Sequence, residues 1–158
     1  FLPHGNYQKL VVEEMKGKPK SGNIVTEDGE VLGKHNGLFN YTIGQRKGLG
    51  IAYKHPLYVI GFNGERNEVI VGPNDRLFTN RMICKFYNFL DDTIHKELKA
   101  EGKIRYAANP SPCTARILDD DTMEVIFEEP QRAITPGQSV AFYNGTQLLG
   151  GAVIDRVC

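Results

Sequence analysis

The amino-acid sequence predicts a mainly β protein with a short N-terminal helix, a small strand-rich central domain and then a small antiparallel β-barrel. The first observation is that 17 Gly and 8 Pro are spread along the 158 residues and separate short apolar runs. This spacing is typical of many tight turns that join short strands. The second is that almost no helical periodicity is found beyond Gly22. Hydrophobic residues make up 41% and charged residues 24% of the chain, which excludes a disordered tail, a collagen-like repeat and a coiled coil.

The central domain is predicted over residues 1–75 and begins with a helix over residues 6–16. Asn6 can cap this helix, and the apolar side chains that follow it recur at helical spacing. Two hairpins come next, because Asp28-Gly29 and Asn63-Gly64 each separate two β-prone runs and tolerate the backbone of a tight turn. The predicted strands are Asn23–Thr26, Val31–Gly33, Leu38–Ile43, Leu57–Phe62 and Glu68–Val71.

The C-terminal β-barrel is predicted over residues 81–158, after a boundary within residues 73–81. Its turns are indicated by Asp119–Asp121 and by Asn144-Gly145, each between two β-prone runs. The predicted strands are Met82–Leu90, Lys103–Tyr106, Cys113–Leu118, Met123–Phe127, Ser139–Tyr143 and Leu148–Val157.

Several classes of protein are excluded by what the sequence lacks. No run is long and apolar enough to span a bilayer, and the N-terminus has no signal-peptide pattern. Cys84, Cys113 and Cys158 form no CxxC pair and have no metal-ligand spacing with the four histidines. An odd number of cysteines disfavours a disulfide framework and favours a reducing compartment. We therefore expect a cytoplasmic protein with no metal site and no membrane attachment.

The window from Val31 to Gly64 contains no Asp or Glu and combines basic with aromatic residues. This composition suits a phosphate backbone with exposed bases, although a chance gap in acids on a solvated face explains it equally well. Within it, glycines flank Gln45, Arg46 and Lys47, so a flexible loop would present an amide and two cations to phosphates or bases. The alternative is a surface hairpin with incidental charges. The basic residues of the window are Lys34, His35, Arg46, Lys47, Lys54 and His55, and its aromatic residues include Phe39, Tyr41, Tyr53 and Tyr58.

Two further candidates lie in the C-terminal half. Arg105 can clamp a phosphate and Tyr106 can stack on a base, although a strand end with a buried Tyr and a solvated Arg is more common. Pro136-Gly137 is typical of a type II turn that leads into Gln138, and a purely structural turn is the alternative. No catalytic constellation is found. Asp119–Asp121 is interpreted as a solvated turn, and Cys84 and Cys113 as buried small hydrophobes.

The order of the motifs along the chain is more specific than any one of them. The run Tyr41–Gly50, YTIGQRKGLG, carries most of the signal. The others are Gly22–Val25, Asp28-Gly29, Val31–His35, Pro56–Val59, Ile104–Tyr106, Pro112-Cys113, Thr135–Gln138, Phe142–Gly145 and Leu149–Gly151. Together they resemble the C-terminal portion of the tRNA-specific 2-thiouridylases over essentially the entire chain. Ala152 stands where that family often has a third consecutive glycine, a difference that affects only local backbone geometry.

The resemblance implies a function that depends on other polypeptide. In that family an N-terminal ATP-pyrophosphatase domain uses ATP with magnesium to adenylate the wobble uridine of a tRNA anticodon, and a cysteine persulfide then delivers sulfur to give 2-thiouridine. A sulfur-relay protein or a cysteine desulfurase supplies the sulfur. The resemblance also implies that the chain begins just after the persulfide Cys, so that it holds no cofactor and is inactive alone.

The resemblance also implies where tRNA binds. Arg105, Tyr106 and Gln138 match positions that contact tRNA in the family's translation-factor-like β-barrel. Gln45, Arg46 and Lys47 match a family motif and are expected to contact either tRNA or the enzyme's own N-terminal catalytic domain. Two alternatives stay open: a non-catalytic translation-factor-like barrel that binds protein or the ribosome, and a free-standing enzyme that uses Cys113 with a distant His.

Overall fold

The computed structural model describes residues 20–158, and the chain divides into two compact units between Leu77 and Phe78. The helix predicted over residues 6–16 lies outside the described residues. Within residues 20–158 the described elements are strands and short 3-10 helices, which confirms the mainly β class. No helix in this part of the chain is long and apolar enough to cross a membrane.

The first unit contains a four-stranded sheet in the order β2-β1-β4-β3. Its two hairpins confirm the predicted ones, and a parallel pairing of β1 with β4 joins them. Turn chemistry explains the first hairpin, because Gly29 has a φ of 88°, which a side chain would disfavour. The strands are β1 (Gly22–Thr26), β2 (Val31–His35), β3 (Tyr58–Asn63) and β4 (Glu68–Gly72), and the 3-10 helices are Leu38–Asn40 and Asn74–Leu77.

The prediction of a strand over Leu38–Ile43 is wrong, because this run begins with a 3-10 helix and continues as a loop. Gly37 turns the chain at a φ of 134°, and Leu38 is then fully buried in the core of the unit. Tyr41 and Ile43 pack against the same core from the loop. The apolar residues that suggested a strand are therefore used to cover the sheet, which local β propensity cannot distinguish from joining it.

His35 anchors this connection and does not belong to the solvated basic surface that the sequence suggested. It is 1% exposed, and its Nδ1 accepts a hydrogen bond from the Gly37 N–H at 3.0 Å. The Nε2 therefore carries the proton and donates it to the carbonyl of Asn67 at 2.8 Å. The imidazole thus links the end of β2 to the β3–β4 loop.

The second unit is a closed six-stranded barrel in the order β10-β5-β8-β7-β6-β9, with antiparallel neighbours. This confirms the predicted antiparallel barrel. Its core contains Cys84, Cys113, Phe127 and Phe142. The strands are β5 (Phe78–Phe89), β6 (Glu97–Lys103), β7 (Ser111–Ile117), β8 (Thr122–Arg132), β9 (Ser139–Asn144) and β10 (Gln147–Val157).

One predicted barrel strand is wrong, and the strand that precedes it, β6, was not predicted. The run Lys103–Tyr106 was predicted as a strand, but β6 ends at Lys103 and the next three residues lie in a bend and turn. Strand β6 is hard to recognise because it alternates charged residues with small or apolar ones. Gly102 is also needed there, because a Cβ at this position would lie 2.9 Å from the ring of Phe127.

Glu124 is a buried carboxylate that ties three barrel strands together. Its neighbours Met123 and Val125 belong to the core, so Glu124 projects from the opposite face of β8. Arg81 from β5 and Arg116 from β7 each bind one carboxylate oxygen at 2.6 Å, and the side chain is only 6% exposed. The hydrogen bond from Arg81 is the main cause that lowers the pKa of Glu124, against the opposing effect of burial.

Candidate nucleic-acid interface

The three residues predicted to contact tRNA lie in loops at the same end of the barrel. Arg105 and Tyr106 lie in the β6–β7 loop, and Gln138 is the last residue of the β8–β9 loop. Antiparallel pairing of these strands places both loops at the same end of the barrel. The guanidinium of Arg105 links the β6–β7 loop to the last residue of β8, because its Nη2 donates a hydrogen bond to the carbonyl of Arg132. The barrel topology therefore brings together residues that are far apart in sequence.

Tyr106 is the most unusual side chain of this end. It is 96% exposed, which is rare for a large aromatic residue. The Lys103 ammonium lies 5.2 Å from the centroid of its ring, within the range of a cation–π contact. This contact was missed from the sequence, and the three-residue spacing of Lys and Tyr is a weak signal for it. The arrangement presents an aromatic surface beside positive charge, which suits a stacked base next to its phosphate.

Gln138 is held by a well-defined turn. The φ of Gly137 is 90°, and the Gln138 N–H donates to the carbonyl of Thr135 at 3.2 Å, as expected for the predicted type II turn. Two further backbone hydrogen bonds with Ile154, both 2.8 Å long, fasten Gly137 and Gln138 to β10. The exposed carboxamide of Gln138 is therefore presented from a rigid backbone.

The Gln45-Arg46-Lys47 motif lies in the first unit, and its three side chains have different surroundings. The half-buried Gln45 braces its own loop, because its Oε1 accepts from the Thr42 N–H at 3.1 Å and its Nε2 donates to the Lys47 carbonyl at 2.9 Å. The backbone of Gln45 also accepts a hydrogen bond from Val59 of β3. The loop is thus held in place, and Arg46 and Lys47 are exposed on it.

The buried cysteines are poor candidates for nucleophiles. Cys84 and Cys113 are 0% and 4% exposed, and burial raises the pKa of each thiol to about 12. At neutral pH both thiols are therefore protonated, whereas the nucleophilic form is the thiolate. This confirms their interpretation as small hydrophobic core residues, and it removes the support for an enzyme built on Cys113.

We expect a single fast-reacting thiol in the folded chain. Cys158 is exposed, so an aromatic disulfide reagent is expected to modify it promptly, and all three cysteines are expected to react only in denaturant. The absorbance of the aromatic thiolate that the reagent releases gives the number of modified cysteines. A Cys158→Ser variant should show almost no fast phase, and rapid modification of Cys113 in that variant would contradict the prediction.

The acidic residues of the Asp119–Asp121 turn are used by the turn itself. Asp119 accepts hydrogen bonds from the backbone N–H groups of Asp121 and Thr122, at 2.9 and 2.8 Å, so it caps the β7–β8 turn. Within residues 20–158 no group of three His, Cys, Asp or Glu side chains is placed to hold a metal ion.

Comparison with known proteins identifies both units. The family described as the aminomethyltransferase beta-barrel domain matches residues 79–154, and the family described as the tRNA methyl transferase PRC-barrel domain matches residues 10–73. The tRNA-specific 2-thiouridylase MnmA of Clostridium botulinum (strain Alaska E43 / Type E3) is 43% identical over 158 residues, which are 99% of this chain and 44% of that protein. The proteins of the same description from Geotalea uraniireducens and Carboxydothermus hydrogenoformans are 44% and 45% identical, over 42% and 43% of their lengths.

The fold and these matches place the protein among the β proteins that have two units, the second of which is a closed barrel. The chain spans less than half the length of the relatives it matches. It belongs to the tRNA-specific 2-thiouridylase family and corresponds to the C-terminal portion of its members. The resemblance seen in the sequence is thereby confirmed, and the alternative of a translation-factor-like module for protein or ribosome is not favoured.

Proposed function

We propose that this chain is the tRNA-docking portion of a tRNA-specific 2-thiouridylase and has no thiolation activity alone. The observation that carries the proposal is the exposed Tyr106, with the Lys103 ammonium beside its ring, at a barrel end that also presents Arg105 and Gln138. Membership of the family supports the choice of tRNA over other RNA. Arg105, Tyr106 and Gln138 are therefore proposed as tRNA contacts.

Each proposed contact follows from the chemistry of its side chain. One N–H of Arg105 is used by the Arg132 carbonyl, and the rest of its fork can bind phosphate oxygens. Tyr106 can stack on an unpaired base, and Lys103 adds positive charge at the same place. The Gln138 carboxamide both donates and accepts, so it can read a base edge or a ribose hydroxyl. Unpaired anticodon bases are the part of a tRNA that such a surface fits best.

The chemical steps are proposed to take place on other parts of the enzyme. ATP with magnesium would activate the wobble uridine in the N-terminal catalytic domain, and a persulfide cysteine outside this chain would deliver the sulfur. A sulfur-relay protein or a cysteine desulfurase would recharge that cysteine, in the cytoplasm. The protonated, buried thiols of Cys84 and Cys113 support a purely binding role for this chain.

RNA binding by the 158-residue chain tests this proposal. Fluorescence anisotropy is expected to show binding to an unmodified tRNA transcript and to its anticodon stem-loop, with weaker binding to an unrelated hairpin. Affinity should fall steeply as salt rises, because each phosphate contact releases counterions. Affinity that is independent of salt and of an Arg105→Ala change would contradict the docking role. Formation of 2-thiouridine by this chain with ATP and sulfide would contradict its inactivity.

A further inference from the structure

An open groove of about 450 Å³ lies in the first unit. It is formed by the long connection between the 3-10 helix Leu38–Asn40 and β3. Among its lining residues, Leu49 and Leu57 are each only 6% exposed and belong to the core of the unit. Arg46, Lys54 and His55 line it as well. The groove therefore has buried core residues in its wall together with exposed basic side chains.

The charge of this groove is of one sign. None of the described residues that line it is acidic, and Arg46 and Lys54 form no ion pair within residues 20–158. A second groove of about 510 Å³ adjoins it across Tyr53 and His55, and that one has Glu27, Asp28 and Glu30 on its wall. The acidic wall confines an anionic ligand to the basic side. The first groove is therefore a basic surface that is bordered by an acidic one.

Aromatic rings accompany these cations. Tyr53 is 38% exposed, and the His55 ring packs against it edge-on, with centroids 4.9 Å apart and an interplanar angle of 86°. The Lys54 ammonium lies 5.9 Å from the centroid of the Tyr53 ring. A cation held beside an exposed aromatic surface is the same combination that Lys103 and Tyr106 form on the barrel. It suits phosphate together with a sugar or a base.

The loop that carries Arg46 is already shaped for binding. Gln45 spans it with two side-chain hydrogen bonds, and Gly48 and Gly50 turn the chain at φ values of 77° and 64°. A loop that is ordered before binding loses less conformational entropy when a ligand arrives. Gln45 therefore holds the loop that presents Arg46.

We propose that this groove binds the phosphate backbone of RNA through Arg46 and Lys54, as a second contact surface of the chain. The inference rests on the proposed function, and it assigns Arg46 of the Gln45-Arg46-Lys47 motif to RNA instead of to the catalytic domain. Phosphate contacts carry no sequence information, so the groove contributes affinity and orientation and leaves base recognition to the barrel.

The test is a double variant, Arg46→Ala with Lys54→Ala, compared with a matched control, Lys34→Ala with Arg66→Ala. Both pairs remove two positive charges from exposed residues of the same unit, but only the first pair lines the groove. The groove variant is expected to bind an unmodified tRNA transcript roughly tenfold more weakly at about 0.1 M salt, with a slope of log affinity against log salt that is smaller by about 2. An unrelated RNA hairpin should lose affinity by a similar factor. The control should change both quantities little.

The outcomes separate this inference from the docking role of the barrel. If the groove variant and its control bind RNA equally, the groove serves another ligand, such as an acidic protein face, and the inference is overturned. The docking role still stands in that case if Arg105→Ala weakens binding. If neither Arg105→Ala nor the groove variant affects RNA affinity, the proposed function itself fails. Unchanged circular dichroism and thermal midpoint show that each variant is folded.

Discussion

Replacing Gly150 by alanine is expected to destabilise the barrel by about 3 kcal/mol or more. A Cβ at this position would lie 2.2 Å from the carbonyl oxygen of Asn88 and 2.9 Å from the Cα of Phe89. Both neighbours are backbone atoms of β5, which pairs with β10 at this point, so neither can move without opening the ladder. The unfolding midpoint in urea gives the loss, provided that the slope of the transition is unchanged.

A second glycine of the same unit controls for backbone strain. Gly145, in the β9–β10 turn, has a φ of 61°, but a Cβ there would meet nothing within 4 Å. Gly145→Ala should therefore cost only the strain of that conformation, about 1 kcal/mol. Equal losses for the two variants would contradict the steric explanation. Ala152 is accommodated at 5% exposure, so the family's frequent third glycine is not needed for this packing.

Changing Arg105 and Tyr106 together to alanine is expected to weaken tRNA binding by about 3 kcal/mol, more than a hundredfold. The variant loses a cation that can bind phosphate and an aromatic surface that can stack on a base. Both side chains are exposed, so the barrel should remain folded. Fluorescence anisotropy with an unmodified tRNA transcript measures the loss, and urea unfolding checks the fold.

Conservative single variants separate the two contributions. Tyr106→Phe keeps the ring and should bind nearly as well as the unchanged chain, whereas Tyr106→Ala should lose affinity without changing the salt slope. Arg105→Lys keeps the charge but loses the fork that also reaches the Arg132 carbonyl, so an intermediate affinity is expected. Arg105→Ala should reduce the salt slope by about 1. If the double variant bound tRNA as the unchanged chain does, this end of the barrel would have no role in docking.

Local patterns in the chain were sufficient for much of the fold. Asp28-Gly29 and Asn144-Gly145 mark hairpins because their preferred backbone conformations match what a tight turn requires, whatever surrounds them. The Thr135–Gln138 turn was recognisable for the same reason, since Gly137 needs a positive φ. The burial of Cys84 was predicted from the apolar run around it, and that of Cys113 from the absence of a nearby His that could activate it.

Other features depend on contacts between residues that are distant in sequence, and no local pattern contains them. Strand β6 has no local strand pattern, and it forms because it pairs with β7 and β9. Leu38–Ile43 lies outside the sheet because Leu38 is buried in the core of the first unit. Glu124 is buried only because Arg81 and Arg116 arrive from neighbouring strands.

The candidate site shows the same division. Its residue types could be identified along the chain, because a cation next to an aromatic residue and a turn before Gln138 are local features. Their meeting at one barrel end could not, because it depends on which strands pair when the barrel closes. Turn preference resides in a few consecutive residues, whereas burial and strand pairing are properties of the whole folded unit.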